Sequence, residues 1–467
     1  MRVLLVRGVA PNERFGLGPF FRIESLGMEY IGAALEAEGH FVQLVDLRFR
    51  NLARAMASCR PSVVGVTAPH TLDTNEAIAT ARRVKALDPT VFTILGGHAA
   101  SVYPMPFLTD GVDAVCCEDG EEVAPALVNA LERHEPLAQV PGLWLRQGGT
   151  FIRTPPSDGR VGLDRVPLPA RHLMQPFQHH YLCVNKQPVW LVETARGCPY
   201  RCSFCTVWRH VDRSYRCRAI DSVCRDFAEV GDNVFIADDL FFHPLARSAE
   251  LARALAARNI RKKWVLVQTR TDRVAEHPEL VEAWRGFSND FDIFFGFEAP
   301  TEQGLAGYSK DSGLDAIREA VAVCRKLKVG ITGNFIVDPD WDEADFERLW
   351  EFKAKLGLTR AGYTILTPLP GTPLFDTYRP RILETDWSKW DMHHILWEPK
   401  LGRRRFFELF AESWRRTVLN AGGTAKPWWK WLSEVSVSQL PMLARVLWQT
   451  HRLMNPEAYL REAFVSS

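Results

Sequence analysis

The 467-residue chain carries 57 Lys and Arg against 56 Asp and Glu, a formal net charge of +1, with 46% hydrophobic and 24% charged residues. That length exceeds one ordinary domain, and the apolar share supports two or three separate cores rather than a disordered chain. The near-neutral balance excludes a global pull toward nucleic acid, so no nucleic-acid partner is expected.

Ten cysteines scattered through a chain of this size do not make a small disulfide framework, which points to a reducing, cytoplasmic setting. Met1–Val6 is too short for a signal-peptide hydrophobic region and reads as a first strand. No run of about 18 apolar residues occurs, so the expectation is a soluble protein or one peripheral to the inner membrane.

From residue 1 to about 140, short apolar runs alternate with helical periodicity. Val3–Val6, Phe41–Asp46, Val63–Thr67, Val91–Leu95 and Asp113–Cys117 are separated by segments such as the one placing Met28, Ile31 and Leu35 on one face. This alternation predicts a doubly wound, Rossmann-like α/β domain with ligands beyond the carboxyl ends of its strands. Thr67, Gly96, Gly97, His98, Glu118 and Gly120 stand at those ends. Paired glycines let a backbone approach a bulky ligand, although a Gly-Gly turn is most often only a turn. No GxGxxG or GxxxxGK[ST] is present, which weakens dinucleotide and nucleotide readings.

Residues 141–187 mix proline, glycine and polar residues around a strand-like Leu143–Leu145 and read as a linker; His172, His179 and His180 there carry no claim. In Cys198-Pro-Tyr-Arg-Cys202-Ser-Phe-Cys205, three cysteines at C-x3-C-x2-C spacing under-fill a structural zinc site and suit an iron–sulfur cluster with one iron left open. Strands then recur from residue 188 to about 390, ending at Asp238-Asp239, Gln268 to Arg270, Glu298, Asp338 and Pro368. Six parallel strands predict a partial (β/α)6 barrel whose site forms at that rim. Cys217, Cys224 and Cys324 read as packed thiols. From about 391 the chain is helical and rich in tryptophan. Arg403–Leu419 places Phe406, Phe410, Trp414 and Val418 on one face, to pack on the barrel or to lie on a membrane, and Pro427–Trp431 and Pro441–Trp448 repeat the theme.

The cysteine loop, with Arg196-Gly197 before it and Phe204 inside it, resembles the cluster motif of the radical S-adenosylmethionine (SAM) superfamily. Gly96-Gly97-His98 and Asp119-Gly120-Glu121 resemble the binding loops of the cobalamin domain in its B12-dependent branch. The D-x-H-x-x-G signature of histidine-ligated cobalamin is absent. Ile236–Phe242, Gly296-Phe-Glu298 and Leu366–Pro373 resemble further motifs of that branch; Phe335–Asp342 departs from its usual turn.

The resemblance implies a C-methyltransferase with a [4Fe-4S] cluster on Cys198, Cys202 and Cys205, SAM, cobalamin and a reductase or ferredoxin-type electron donor. SAM would offer its amino and carboxylate groups to the open iron, leaving ribose, sulfonium and adenine to Phe204, Asp238, Asp239, Gln268, Arg270, Glu298 and Asn334. Phe21–Glu29, the Asp338-Pro-Asp-Trp341 turn and Trp397–Arg403 resemble the hopanoid C-3 methylases, which implies a hydrophobic or lipid substrate. Alternatives are a tetrapyrrole methyltransferase of bacteriochlorophyll type, a radical SAM cyclase or, in a different class, an iron–sulfur electron carrier. The three-cysteine loop argues against a carrier, which usually completes the shell with a fourth cysteine.

Overall fold

The structure is a computed structural model and describes residues 1–9, 21–210, 214–418 and 440–461. The first strands are β1 (Arg2–Arg7), β2 (Phe21–Arg22), β3 (Phe41–Asp46), β4 (Val63–Thr67), β5 (Phe92–Gly96), β6 (Ala114–Cys116), β7 (Leu143–Gln147), β8 (Thr150–Arg153) and β9 (Leu182–Cys183). Seven of them form one sheet in the order β3-β1-β4-β5-β6-β7-β8, parallel as far as β6. Successive side chains of β1 enter opposite cores. Val3 and Leu5 join Leu35 and Leu44 on one face, whereas Leu4 and Val6 join Val64, Val66 and Leu95 on the other. A strand covered on both faces must be apolar at every position, which is why Val3–Val6 is an unbroken apolar run.

The sheet does not stop near residue 140. β7 and β8 add to it in antiparallel fashion, so the first part of the expected linker belongs to the N-terminal domain. The rest of the connector is also packed. β9 pairs with β2, and Val161 and Val166 share a core with Leu26, Tyr30 and Leu191. Arg171 reaches Glu24 (3.0 Å) and Glu29 (3.3 Å) of the first domain and Asp226 (2.8 Å) of the second.

The next strands are β10 (Trp190–Val192), β11 (Ala195–Gly197), β12 (Tyr215–Cys217), β13 (Asn233–Ile236), β14 (Lys262–Thr269), β15 (Ser288–Glu298), β16 (Gly330–Val337) and β17 (Ala361–Ile365). β10-β13-β14-β15-β16-β17 form a six-stranded sheet in sequence order, parallel throughout, as a partial barrel requires. Its core contains Val234, Ile236, Val265, Val267, Ile293 and Phe295 together with residues of the covering helices, among them Trp284, whose indole N–H donates to Ser248 Oγ at 3.0 Å.

Of the two placements expected for the helix Arg403–Val418, the structure has the packed one. Phe406, Phe410 and Trp414 are buried, Trp350 donates to Ser413 Oγ at 2.9 Å, and the Tyr363 and Thr417 hydroxyls lie 2.8 Å apart. Its arginines are matched within the protein: Arg404 with Glu457, Arg405 with Glu343, Arg415 with Glu412. Pro427–Trp431 lies outside the described residues, and among those described no helix is long and apolar enough to cross a membrane.

Candidate active site

The cysteine loop hangs from a hairpin. β11 and β12 pair antiparallel, Gly197 against Tyr215, and the chain leaves β11 through Gly197 at φ +109°, a left-handed conformation that only glycine adopts cheaply. The loop is pinned at its centre. Ser203 N–H donates to Tyr308 O (3.0 Å), Leu374 N–H donates to Ser203 O (3.1 Å), and Phe204 meets the Tyr308 ring edge-on at 5.6 Å. Trp208 donates its indole N–H to Cys202 O at 3.1 Å.

Cys198, Cys202 and Cys205 are free and half-buried. Burial pushes Cys198 up to about 11 and Cys205 up to about 12, and the neighbouring cysteines push both the same way. Three thiols this close are expensive to ionise unless a cation is shared among them. Among the described residues no three such side chains converge on a single ion. Three cysteines at C-x3-C-x2-C spacing on one loop fit a cluster in which each thiolate takes its own iron.

The rim residues divide into those that face the loop and those that build it. Asp238 was expected to bind SAM, but it is 1% exposed and its carboxylate is already committed. It accepts Thr194 N–H (2.7 Å), Thr194 Oγ1–H (2.5 Å) and Ala195 N–H (3.1 Å), and so fixes the backbone between β10 and the loop. Asp239 accepts Gly197 N–H at 2.9 Å, and burial raises it to about 6. Gln268 donates to Asp238 O at 3.2 Å. Arg270 lies over the Tyr200 ring, 3.7 Å from its centroid, and is held by Asp272 at 3.0 Å; Arg273 reaches the Tyr200 hydroxyl. Tyr200, inside the cysteine loop, is thus clamped from β14's end.

Glu298 has a left-handed backbone (φ +61°) and pairs with Lys310 at 2.8 Å. On the neighbouring strand, Asn334 donates to Thr364 Oγ1 at 3.1 Å, and its Oδ1 is buried without a partner. An orphaned acceptor inside the barrel, beside a carboxylate, fits a ligand that brings hydroxyl or amino donors. SAM is such a ligand.

On the first sheet, Thr67 and Gly96 pair across β4 and β5. Gly97 has φ +99°, and a Cβ there would lie 2.8 Å from Ala68 O, so its close approach is to the adjoining loop. His98 Nε2 lies 2.7 Å from Thr206 Oγ1, the residue after Cys205, and its ring is 4.8 Å from that of His210. Burial lowers His98 to about 4 and His210 to about 3, so both are neutral at pH 7.

Glu118 and Gly120, expected at the ligand edge, have partners within the protein. Glu118 accepts Ser157 N–H at 3.1 Å, and a Cβ on Gly120 would strike Ile31 Cδ1 at 2.7 Å. The turn they belong to holds connector and helix together. Its other acidic residues, Asp119 and Glu121, bind Arg216 (2.7 Å) and Arg196 (2.8 Å) of the cysteine hairpin. Sequence reasoning read Arg196 only as part of the cluster motif and missed Arg216, Tyr200, Lys310 and Thr206 as parts of the site. For Arg196, Tyr200 and Thr206 the signal was adjacency to the cysteines.

Parallel-sheet ligands sit where strand connections diverge, which here is between β1 and β4. A small, open cleft lies there, lined by Arg7, Gly8, Thr67, Pro69, Asp73, Glu76 and Ala77. A second runs between the first sheet's rim and the barrel and includes Thr71, His98, Tyr103, Thr206 and Trp387.

The B12 binding domain model matches residues 20–128, and the Radical SAM superfamily model matches residues 192–352. The chain thus carries a B12 binding domain followed by a radical SAM domain, and the enzyme is a radical SAM methyltransferase. Its cofactors are a [4Fe-4S] cluster, SAM and cobalamin. The hopanoid C-3 methylase of Methylococcus capsulatus is 29% identical over 95% of this chain and 86% of its own length. The anaerobic magnesium-protoporphyrin IX monomethyl ester cyclase of Cereibacter sphaeroides is 26% identical over 85% of this chain and 68% of its own. Among solved structures, the cobalamin-dependent radical enzyme OxsB with aqua-cobalamin and SAM bound has a TM-score of 0.70 at 15% identity, covering 97% of this chain and 72% of its own. The methyltransferase TsrM of Kitasatospora setae with cobalamin and its cluster bound has a TM-score of 0.63 at 19% identity, covering 80% of this chain and 76% of its own.

Proposed function

We propose that this cobalamin-dependent radical SAM methyltransferase methylates an unactivated carbon of a hydrophobic substrate, and that the substrate is a hopanoid methylated at C-3. The observation carrying the reaction class is the hydrogen bond between His98 and Thr206, which brings the rim of the first sheet against the cysteine loop. Chemistry begun at one cofactor can then be finished at the other without the substrate leaving.

When bound, the three cofactors together supply one-electron cleavage of SAM and delivery of a methyl group to carbon. In this reading Cys198, Cys202 and Cys205 hold the cluster, and Phe204 with Tyr308 walls one side. Glu298, kept in place by Lys310, and Asn334 take the ribose and amino donors of SAM. Asp238, Asp239, Gln268 and Arg270 orient the loop rather than the ligand. Thr67, Gly96, Gly97 and His98 shape the corrinoid edge.

The substrate reading rests on similarity to the M. capsulatus protein along nearly the whole chain. The shorter shared segments are scaffold. Glu24 and Glu29 surround Arg171, and Asp340 accepts Trp397 Nε1–H at 3.2 Å and pairs with Arg381. For a substrate drawn from a bilayer, the outward Leu447 and Trp448 of the helix Leu440–Leu453 are the proposed contact. Liposome flotation tests it: Leu447→Ser with Trp448→Ser should stay in the soluble fraction if the wild type floats. A reductase or ferredoxin-type protein is the proposed electron source.

The deciding assay is anaerobic reconstitution with iron, sulfide and cobalamin, followed by SAM, reductant and a hopanoid. The expected products are 5′-deoxyadenosine and a C-3-methylated hopanoid. 5′-Deoxyadenosine with no methylated hopanoid rejects the substrate; absence of 5′-deoxyadenosine rejects the radical reaction.

A further inference from the structure

Both ends of the cysteine loop are tied to the rim of the first sheet. Two residues before Cys198, the Arg196 guanidinium binds Glu121 at 2.8 Å and Glu193 at 2.9 Å. One residue after Cys205, Thr206 Oγ1 meets His98 Nε2 at 2.7 Å. Across the hairpin, Arg216 faces Arg196 in register and grips Asp119 at 2.7 Å. Glu121 and His98 lie at the starts of the segments leaving β6 and β5, on the edge where a parallel sheet holds its ligand.

The charges in this seam balance. Asp119, Glu121 and Glu193 face Arg160, Arg196 and Arg216, all with side chains no more than about a quarter exposed. A paired, low-dielectric network of this kind resists small shifts, because moving one partner leaves another charge buried and unpaired. A displacement of the rim on filling the corrinoid cleft is therefore passed to both ends of the loop that carries the cluster.

We propose that Arg196 and Thr206 are positioning residues that couple the corrinoid rim to the SAM-binding cluster loop, so that filling either site tightens the other. The inference rests on the reading above that this chain uses both cofactors. Linkage makes it reciprocal: cobalamin must tighten SAM by the same factor by which SAM tightens cobalamin.

The test uses full-length protein reconstituted anaerobically with iron and sulfide. SAM dissociation constants are measured by equilibrium dialysis with and without hydroxocobalamin, alongside the electron paramagnetic resonance spectrum of the reduced cluster. Wild type should bind SAM about fivefold or more tightly once cobalamin is present, the low end of ordinary allosteric coupling. Its cluster spectrum should change on cobalamin addition. Thr206→Val, which removes only the hydroxyl, and Glu121→Gln, which weakens the hold on Arg196, should each bring the factor toward one with iron content unchanged. Thr206→Ser should restore it. A factor near one in wild type, or undiminished coupling in Thr206→Val and Glu121→Gln, overturns the inference while leaving the methyltransferase reading intact. Failure of the reconstituted wild type to bind SAM or cobalamin at all overturns both.

Discussion

Replacing Glu24 with Gln should make the protein's stability less sensitive to alkaline pH. Glu24 is 2% exposed, one oxygen accepts Leu191 N–H at 2.6 Å and Arg171 at 3.0 Å, and the other has no partner. Burial raises its pKa from the ordinary 4.5 to about 7, only partly opposed by Arg171, and the nearby Asp226 adds to the rise. A carboxyl that holds its proton more tightly when folded contributes stability fully present below pH 4.5 and lost as pH rises through about 7. At about 1.4 kcal/mol per pH unit, the loss is ~3 kcal/mol by pH 8. The Gln amide keeps the shape and the accepting oxygen but cannot ionise.

Thermal midpoints of the anaerobic apoprotein at pH 5.5 and pH 8 read the difference. About 2 kcal/mol of that loss falls between pH 5.5 and pH 8, so wild type should lose about 2 °C more than Glu24→Gln over the interval, at roughly 1 °C per kcal/mol for a chain of this length. Parallel curves would refute the claim that this carboxyl is protonated in the folded seam. Glu29, whose pKa burial and the adjacent Glu24 both raise, should give the same direction in Glu29→Gln.

Replacing any one of Cys198, Cys202 or Cys205 with Ala should abolish the broad visible absorption of the reconstituted cluster and lower bound iron, with the far-ultraviolet circular dichroism unchanged. Asp238→Asn gives up acceptance of at least one of three buried hydrogen bonds, at about 1–3 kcal/mol for each donor left unpaired, and should lower both the thermal midpoint and the iron content. Gly97→Ala puts a Cβ 2.8 Å from Ala68 O at φ +99°, a strain of about 1–3 kcal/mol, and should weaken cobalamin retention on gel filtration. Trp350→Phe removes the hydrogen bond to buried Ser413 and should cost about 1–2 kcal/mol, seen as faster proteolysis after the helix Glu343–Leu356.

Much of the architecture was legible in the linear chain because its signals are local. Apolar runs at fixed spacing mark the parallel strands, and three cysteines within eight residues mark the cluster loop whatever surrounds them. The fold class and six-stranded order follow from that periodicity, since a strand buried on both faces has no choice but to be apolar. The limits of the first domain did not follow, because β7 and β8 are short and amphipathic and gain their place only by pairing with β6.

What each rim residue does was decided by tertiary structure. Asp238 and Asp239 are adjacent polar residues at a strand end. Only the path of the chain back past Thr194 and Gly197 turns the first into a fully used acceptor and the second into a loop support. Asp119 and Glu121 read as part of a ligand turn until the hairpin carrying Arg196 and Arg216 is folded onto them. The sequence by itself determined that Cys198, Cys202 and Cys205 lie on one loop between two α/β sheets. Only the tertiary structure decided that this loop is held at both ends by the first sheet, because the partners of Arg196 and Thr206 lie 75 and 108 residues away and no local pattern encodes a contact at that distance.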